Sequence, residues 1–205
     1  MVAFLRRHAL LLGAAVIALV LGFAAGTVVP QLRTPGDDSV EAGFARDMST
    51  HHAQAVEMSM IAYPKATDTE VKTSAYNIAL GQQAEIGIMQ TWLKDWHLLP
   101  TGTRPKMAWM PDGQQTLVNG LMPGMATDAE LAQLTNATGK QLDILYCQLM
   151  LRHHLGGIHM IDGLLAESHD AQVTDVAQTM KRNQQAEIDV FRQTLTGLGA
   201  QPLGS

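Results

Sequence analysis

Two adjacent histidines, His51 and His52, stand between Met48 and Met58, and the same set recurs as His153 and His154 between Met150 and Met160. Imidazole nitrogen suits copper, zinc, iron and nickel, whereas thioether sulfur selects chiefly Cu(I). Glu85 and Glu187 add carboxylates, each inside the same five residues, Gln-Gln-Ala-Glu-Ile, at 82–86 and 184–188. Further methionines stand in a Pro/Gly-rich stretch as Met107-x-x-Met110 and Met122-x-x-Met125, and His159 beside Met160 is an additional candidate ligand. Together these donors point to binding of a metal ion, copper foremost, as Cu(I) or Cu(II).

The same residues also fit a bland role. Neutral histidine can donate to glutamate, and glutamine can satisfy what remains, giving a buried network that fixes helix register. Methionine is also a flexible core filler. A metal site and a non-catalytic interaction module with a structural His–Glu network therefore both stay open. A di-iron oxidoreductase is the weaker reading, because that chemistry usually needs Glu-x-x-His on two helices, and no glutamate here has a histidine three positions on. No nucleophile triad, phosphate-binding glycine loop or cysteine pair suggests an enzyme of another kind.

The elements that must hold these residues are helices in duplicate. His153 follows His51 by 102 residues, and the same offset superposes the two Gln-Gln-Ala-Glu-Ile runs, Val71 on Val173, Ala75 on Ala177 and Leu93 on Leu195 without a gap. The chain reads as an internal duplication. Phe44, Met48, His51, Ala55, Met58 and Ala62 recur every three or four residues, as do Tyr146, Met150, His153, Gly157, Met160 and Leu164. That spacing is the seam of a packed bundle. His52 and His154 fall about 100° round the helix from the seam. Glu85 and Glu187 occupy seam positions where leucine is usual, and a buried carboxylate without a partner costs several kcal/mol.

Helices are expected near 39–63, 68–97, 128–134, 138–168 and 171–198. Capping boxes are expected at Asp38-x-x-Glu41, Thr67-x-x-Glu70 and Thr127-x-x-Glu130. Short turns make each pair antiparallel, so the fold class is all-α, an antiparallel four-helix bundle of two pseudo-symmetric helix pairs. The organisation reads as a signal or anchor segment at 1–30, a linker at 31–38, repeat one at 39–97, a connection at 98–126, repeat two at 127–198 and a tail at 199–205.

A net charge of −5 gives no basic stripe for nucleic acid. Cys147 is the single cysteine, so no intrachain disulfide or cysteine zinc site can form. Arg6, Arg7 and His8 precede an uncharged run from Ala9 to Val29, so the remainder should be exported, either tethered to the membrane by this segment or released by cleavage. A homo-oligomer or a copper-handling protein would be the macromolecular partner.

The stretches FARDMSTHHAQAVEM, MAWM, LMPGMA, MLRHHLGGIHM and QQAEI, spread over about 40–198, resemble the bacterial family called domain of unknown function 305. The resemblance implies an exported, ferritin-like helical protein. Some members are associated with copper, which implies ligands at Met48, His51, His52, Met58, Met150, His153, His154 and Met160. Gln54 and His159 depart from the family's usual glycine and acidic residue at those positions.

Overall fold

The computed structural model describes His8, residues 15–23 and residues 34–203. The chain divides into two units, Met1–Pro35 and Gly36–Ser205. In the first, residues 15–23 are helical. The rest of the apolar run expected to direct export or anchoring lies outside the described residues, among which no helix is long and apolar enough to cross a membrane.

The second unit is all-helical. Its α-helices are α1 (Val40–Ala62), α2 (Thr69–Asp95), α3 (Asp128–Asn136), α4 (Gly139–Glu167) and α5 (Ala171–Gly197), with one 3-10 turn at Gly113–Thr116. Among the described residues there is no strand, only an isolated bridge between Val118 and Leu121. α1 packs along α2 and α4 along α5, and the two pairs meet chiefly where α1 lies on α4. The pairs run antiparallel: Tyr63 at the end of α1 meets Tyr76 near the start of α2, and across the pairs Ser59 bonds the Tyr146 hydroxyl at 3.0 Å.

Only one of the three expected capping boxes forms. Thr127 accepts from the Glu130 amide while Glu130 accepts from Thr127 in return. α1 is capped one residue later than expected, by Ser39 accepting from Ala42. Asp38 is engaged instead through its carbonyl, which accepts from Arg104 at 2.8 Å. α2 is likewise capped by Asp68, accepting from Glu70 and Val71. Thr67 is drawn away because its backbone amide donates to the buried Asp143 carboxylate of α4 at 3.1 Å, which ties the α1–α2 turn to the second pair.

The core is two apolar clusters separated by a polar layer. One gathers Phe44, Met48, Met89, Trp92, Met160 and Met180, and the other Met58, Ile78, Tyr146, Met150 and Phe191. On every long helix the buried members change cluster at polar residues: His51–Gln54 on α1, Gln82–Glu85 on α2, His153–Gly157 on α4 and Gln184–Glu187 on α5. Cys147 is buried in the second cluster, where burial pushes its thiol up to about 12.

The connection between the pairs is packed, not loose. Met107, Met110 and Met122 are buried in the first cluster, and Met125 packs against it. The segment carrying them folds onto the helices. Asp47 on α1 accepts from the Met107 amide at 2.7 Å and the Trp109 indole at 2.8 Å. Gln54 forms two bonds with the Ala126 backbone, at 2.8 and 2.7 Å. Glycines permit the approach: a Cβ at Gly43 would collide with Trp109, and one at Gly163 with the Met110 side chain.

Candidate functional site

The polar layer brings four imidazoles together in the buried interior. His51 and His153 are each 1% exposed and His52 and His154 wholly buried. The rings of His51 and His153 lie 3.8 Å apart between centroids, tilted by 32°, and His153 and His154 lie 6.3 Å apart. The helical spacing thus delivers the expected histidines, two from each pair, to one level of the core.

The glutamates do not sit in the seam as expected. Glu85 and Glu187 stand at the edge of the layer, with side chains 16% and 31% exposed. A carboxylate on a helix flank keeps part of its hydration, which a central seam position would remove at a cost of several kcal/mol. Each reaches inward to the flank histidine rather than the seam histidine. His52 Nε2 donates to Glu85 Oε2 and His154 Nε2 to Glu187 Oε2, both at 2.7 Å. The two pairs are related by the 102-residue offset.

The seam histidines differ from one another. His51 Nε2 donates to the Pro123 carbonyl at 2.9 Å, whereas His153 makes no well-formed hydrogen bond at either nitrogen and only approaches the His51 backbone. Pro123 can reach the layer because Gly124 turns with φ +78° and because a Cβ at Gly156 would occupy the place of its carbonyl. Gly157 likewise leaves room for the Gln184 amide. The paired glycines of α4 are therefore clearances, one for a backbone and one for a side chain.

Burial dominates the electrostatics of the seam. Desolvation of the charged form lowers His51 to about 3, countered in part by the Pro123 carbonyl and reinforced by His52 and His154. His153 is pushed well below its ordinary value, first by burial and then by the other three histidines, with the His51 backbone opposing the shift. Both rings are neutral at physiological pH, the state in which imidazole offers a lone pair.

The donor set fits a soft or borderline cation in its chemistry. Nδ1 of His51, His52 and His154, both nitrogens of His153, Gln82 Oε1 and the Gln184 amide are buried without hydrogen-bond partners, an arrangement that costs free energy at each atom. Met48, Met58, Met150 and Met160 are all wholly buried; Met48 and Met160 share the apolar cluster on one side of the layer, and Met58 and Met150 the one on the other. Among the described residues, however, no three His, Cys, Asp or Glu side chains converge as a metal-binding group. The stacked rings of His51 and His153 would have to turn for both to face one ion.

Other candidates lie apart. His159 is 40% exposed, its Nε2 4.0 Å from the Asp112 carboxylate. Asp47 and the Pro123 carbonyl escaped the sequence reading, and Gln54 entered it only as a departure from the family pattern. Asp47 had a signal, an acidic residue beside Met48 on a buried helix face. The Pro123 contact is made by backbone and left none beyond the Pro-Gly turn.

Solved structures share this fold. A DUF305 protein from Streptomyces coelicolor, named as a presumed secreted protein, is 40% identical, with a TM-score of 0.76, over 83% of this chain and 100% of that chain. A DUF305 fragment from Deinococcus radiodurans is 27% identical, with a TM-score of 0.61, over 78% and 95%. CopM in its Cu(II)-bound form is 28% identical, with a TM-score of 0.60, over 78% and 97%, and it has also been solved bound to Cu(I). No curated protein matches the chain. The family model described as Domain of unknown function (DUF305) matches residues 41–195, and the chain belongs to that family.

Proposed function

We propose that this protein binds copper outside the cytoplasm and sequesters it or hands it on, without catalysing a reaction. The observation that carries the reading is the level of four buried imidazoles, two held neutral by burial, with wholly buried methionines on both sides. His51, His52, His153 and His154 would hold the ion, with Met48, Met58, Met150 and Met160 as thioether partners and Glu85 and Glu187 behind the flank histidines. Met107, Met110, Met122 and Met125 lie against the cluster of Met48 and Met160 and form a reserve of soft donors there. Copper-bound CopM supports the choice of metal. We read the four long helices as a ferritin-like bundle of duplicated pairs, with His159 peripheral. The uncharged run behind Arg6 and Arg7, with the secreted relative, supports export or tethering.

Titration calorimetry of the metal-free protein with Cu(I) and Cu(II) tests the reading, with His51→Ala/His153→Ala as the control. Uptake should be lost in the double variant; equal heats from both proteins would refute it. The stacked seam rings favour a second reading, a structural His–Glu network in a non-catalytic module. In that case chelators leave the melting temperature unchanged, whereas an ion at a hundredfold its Kd stabilises the fold by about 2.7 kcal/mol.

A further inference from the structure

Pro123 touches the histidine layer with its carbonyl, which accepts from His51 at 2.9 Å. It also lines a cavity of about 220 Å3, together with Val118, Leu121, Met125, Glu130 and Arg152. This turn of the connection therefore stands between that cavity and a seam ring. Both of its ends are anchored. Met122 is 2% exposed within the first apolar cluster, and Ala126 is fixed by its two bonds to Gln54. Between the anchors, residues 123–125 lie on α4 by backbone contact: Gly124 against the Arg152 and His153 backbone, and the Pro123 carbonyl over Gly156. Such a contact lacks the interleaved side chains that lock one helix into another.

The Arg152 guanidinium holds these residues down. Its Nε donates to the Gly124 carbonyl and one Nη to the Met125 carbonyl, both at 3.4 Å. The same fork grips the Glu130 carboxylate at 2.7 and 2.8 Å. Glu130 closes the capping box on Thr127, the residue after Ala126, so the ion pair ties α4 to the far end of the turn. Arg152 holds the Glu130 carboxyl down to about 2, and the pair stays ionised at physiological pH. Repeat one has no equivalent: the 102-residue offset puts Thr50 at this place, and its hydroxyl donates to the Arg46 carbonyl of its own helix.

We propose that residues 123–125 are a lid on the histidine layer, latched by the Arg152–Glu130 pair, and that a soft cation enters from the cavity when the latch opens. This rests on the copper reading above. Opening withdraws the Pro123 carbonyl from His51 as it uncovers the ring, which leaves His51 free to turn out of its stack with His153. The latch side chains are 33% and 24% exposed, so salt weakens their attraction.

The test compares the full chain with Glu130→Gln, which keeps the capping box but removes the charge that Arg152 grips. Hydrogen–deuterium exchange of the metal-free proteins should quicken about tenfold over residues 118–127 and stay unchanged within α3. Stopped-flow tryptophan fluorescence should show Ag(I) entering the variant faster, with its Kd changed less than its rate. Sodium nitrate should speed entry into the wild type and leave the variant unaffected. Arg152→Lys, which keeps the charge and loses the fork, should fall between the two. Equal exchange over the turn would overturn the latch. Faster exchange with an unchanged rate of silver entry would overturn the route while copper binding stands. No silver uptake by any of the proteins would overturn the copper reading and the route together, and the exchange rates tell that failure from failure of the latch.

Discussion

His51 and His153 stack ring on ring at 3.8 Å, and both are held neutral by burial, His51 at about 3 and His153 well below its ordinary value. In the unfolded chain each would take up a proton near pH 6.5. Above that pH neither state is protonated and the pair imposes no penalty. Below it only the unfolded chain binds the protons, so the fold loses stability as pH falls from about 6.5 toward 3, by up to about 1.4 kcal/mol per pH unit for each ring. Melting temperatures of the metal-free protein between pH 7 and 4.5 should therefore fall more steeply than those of His51→Gln/His153→Gln. Parallel curves would show that the rings are protonated in the fold.

Met48 and Met160 are wholly buried in one cluster, so their replacement separates packing from ligation. Methionine-to-leucine exchanges conserve volume and usually cost under about 1.5 kcal/mol each. Met48→Leu/Met160→Leu should stay folded and lose Cu(I) affinity tenfold or more. Cu(II), which imidazole suits, should bind nearly as before. Competition titrations in the two oxidation states would read the difference, and unchanged Cu(I) affinity would leave the thioethers as core filler.

Asp47 holds the MAWM segment through two buried donors, the Met107 amide and the Trp109 indole. Asp47→Ala would leave both without an acceptor, a cost of about 1–3 kcal/mol per donor. Asp47→Asn keeps an accepting oxygen at the same place. Burial raises the Asp47 carboxyl above its ordinary range, so removing the charge should be mild. Urea midpoints should rank wild type, Asn and Ala in that order, with Trp109 emission shifting to the red only for Ala.

Gly156 and Gly157 are adjacent helix residues with different neighbours. A Cβ at Gly156 would strike the Pro123 backbone, whereas one at Gly157 would meet the end of the Gln184 side chain. Alanine gains about 1 kcal/mol over glycine in a helix interior. Gly157→Ala should thus be near neutral, since Gln184 can swing aside. Gly156→Ala should be destabilising overall, as overpacking against fixed backbone typically costs about 1–3 kcal/mol. Equal effects in thermal denaturation would mean that the Pro123 turn moves freely.

Much of this molecule was readable from residue spacing. The long helices fall within two residues of the expected bounds, because the three-and-four periodicity of Phe44, Met48, His51, Ala55 and Met58 is dictated by burial alone. Their mirror in Tyr146, Met150, His153, Gly157 and Met160 follows for the same reason. The caps were less legible. A Thr-x-x-Glu pattern specifies a cap only while its threonine is free, and Asp143, 76 residues away, claims Thr67. The glutamates were placed on the right helices but one step too deep, since periodicity cannot tell a seam from its flank. The connection was the least legible part: its methionines enter the core through Asp47, Gln54 and three glycine clearances, contacts between residues far apart in sequence.

The strap from Leu98 to Ala126 passes the twin histidines only once. A freestanding single half, pairing with its own copy as a symmetric dimer, would have two seam rings competing for equivalent carbonyls, or none. A single chain offers one linker to one ring, so His51 and His153 stand under different constraints.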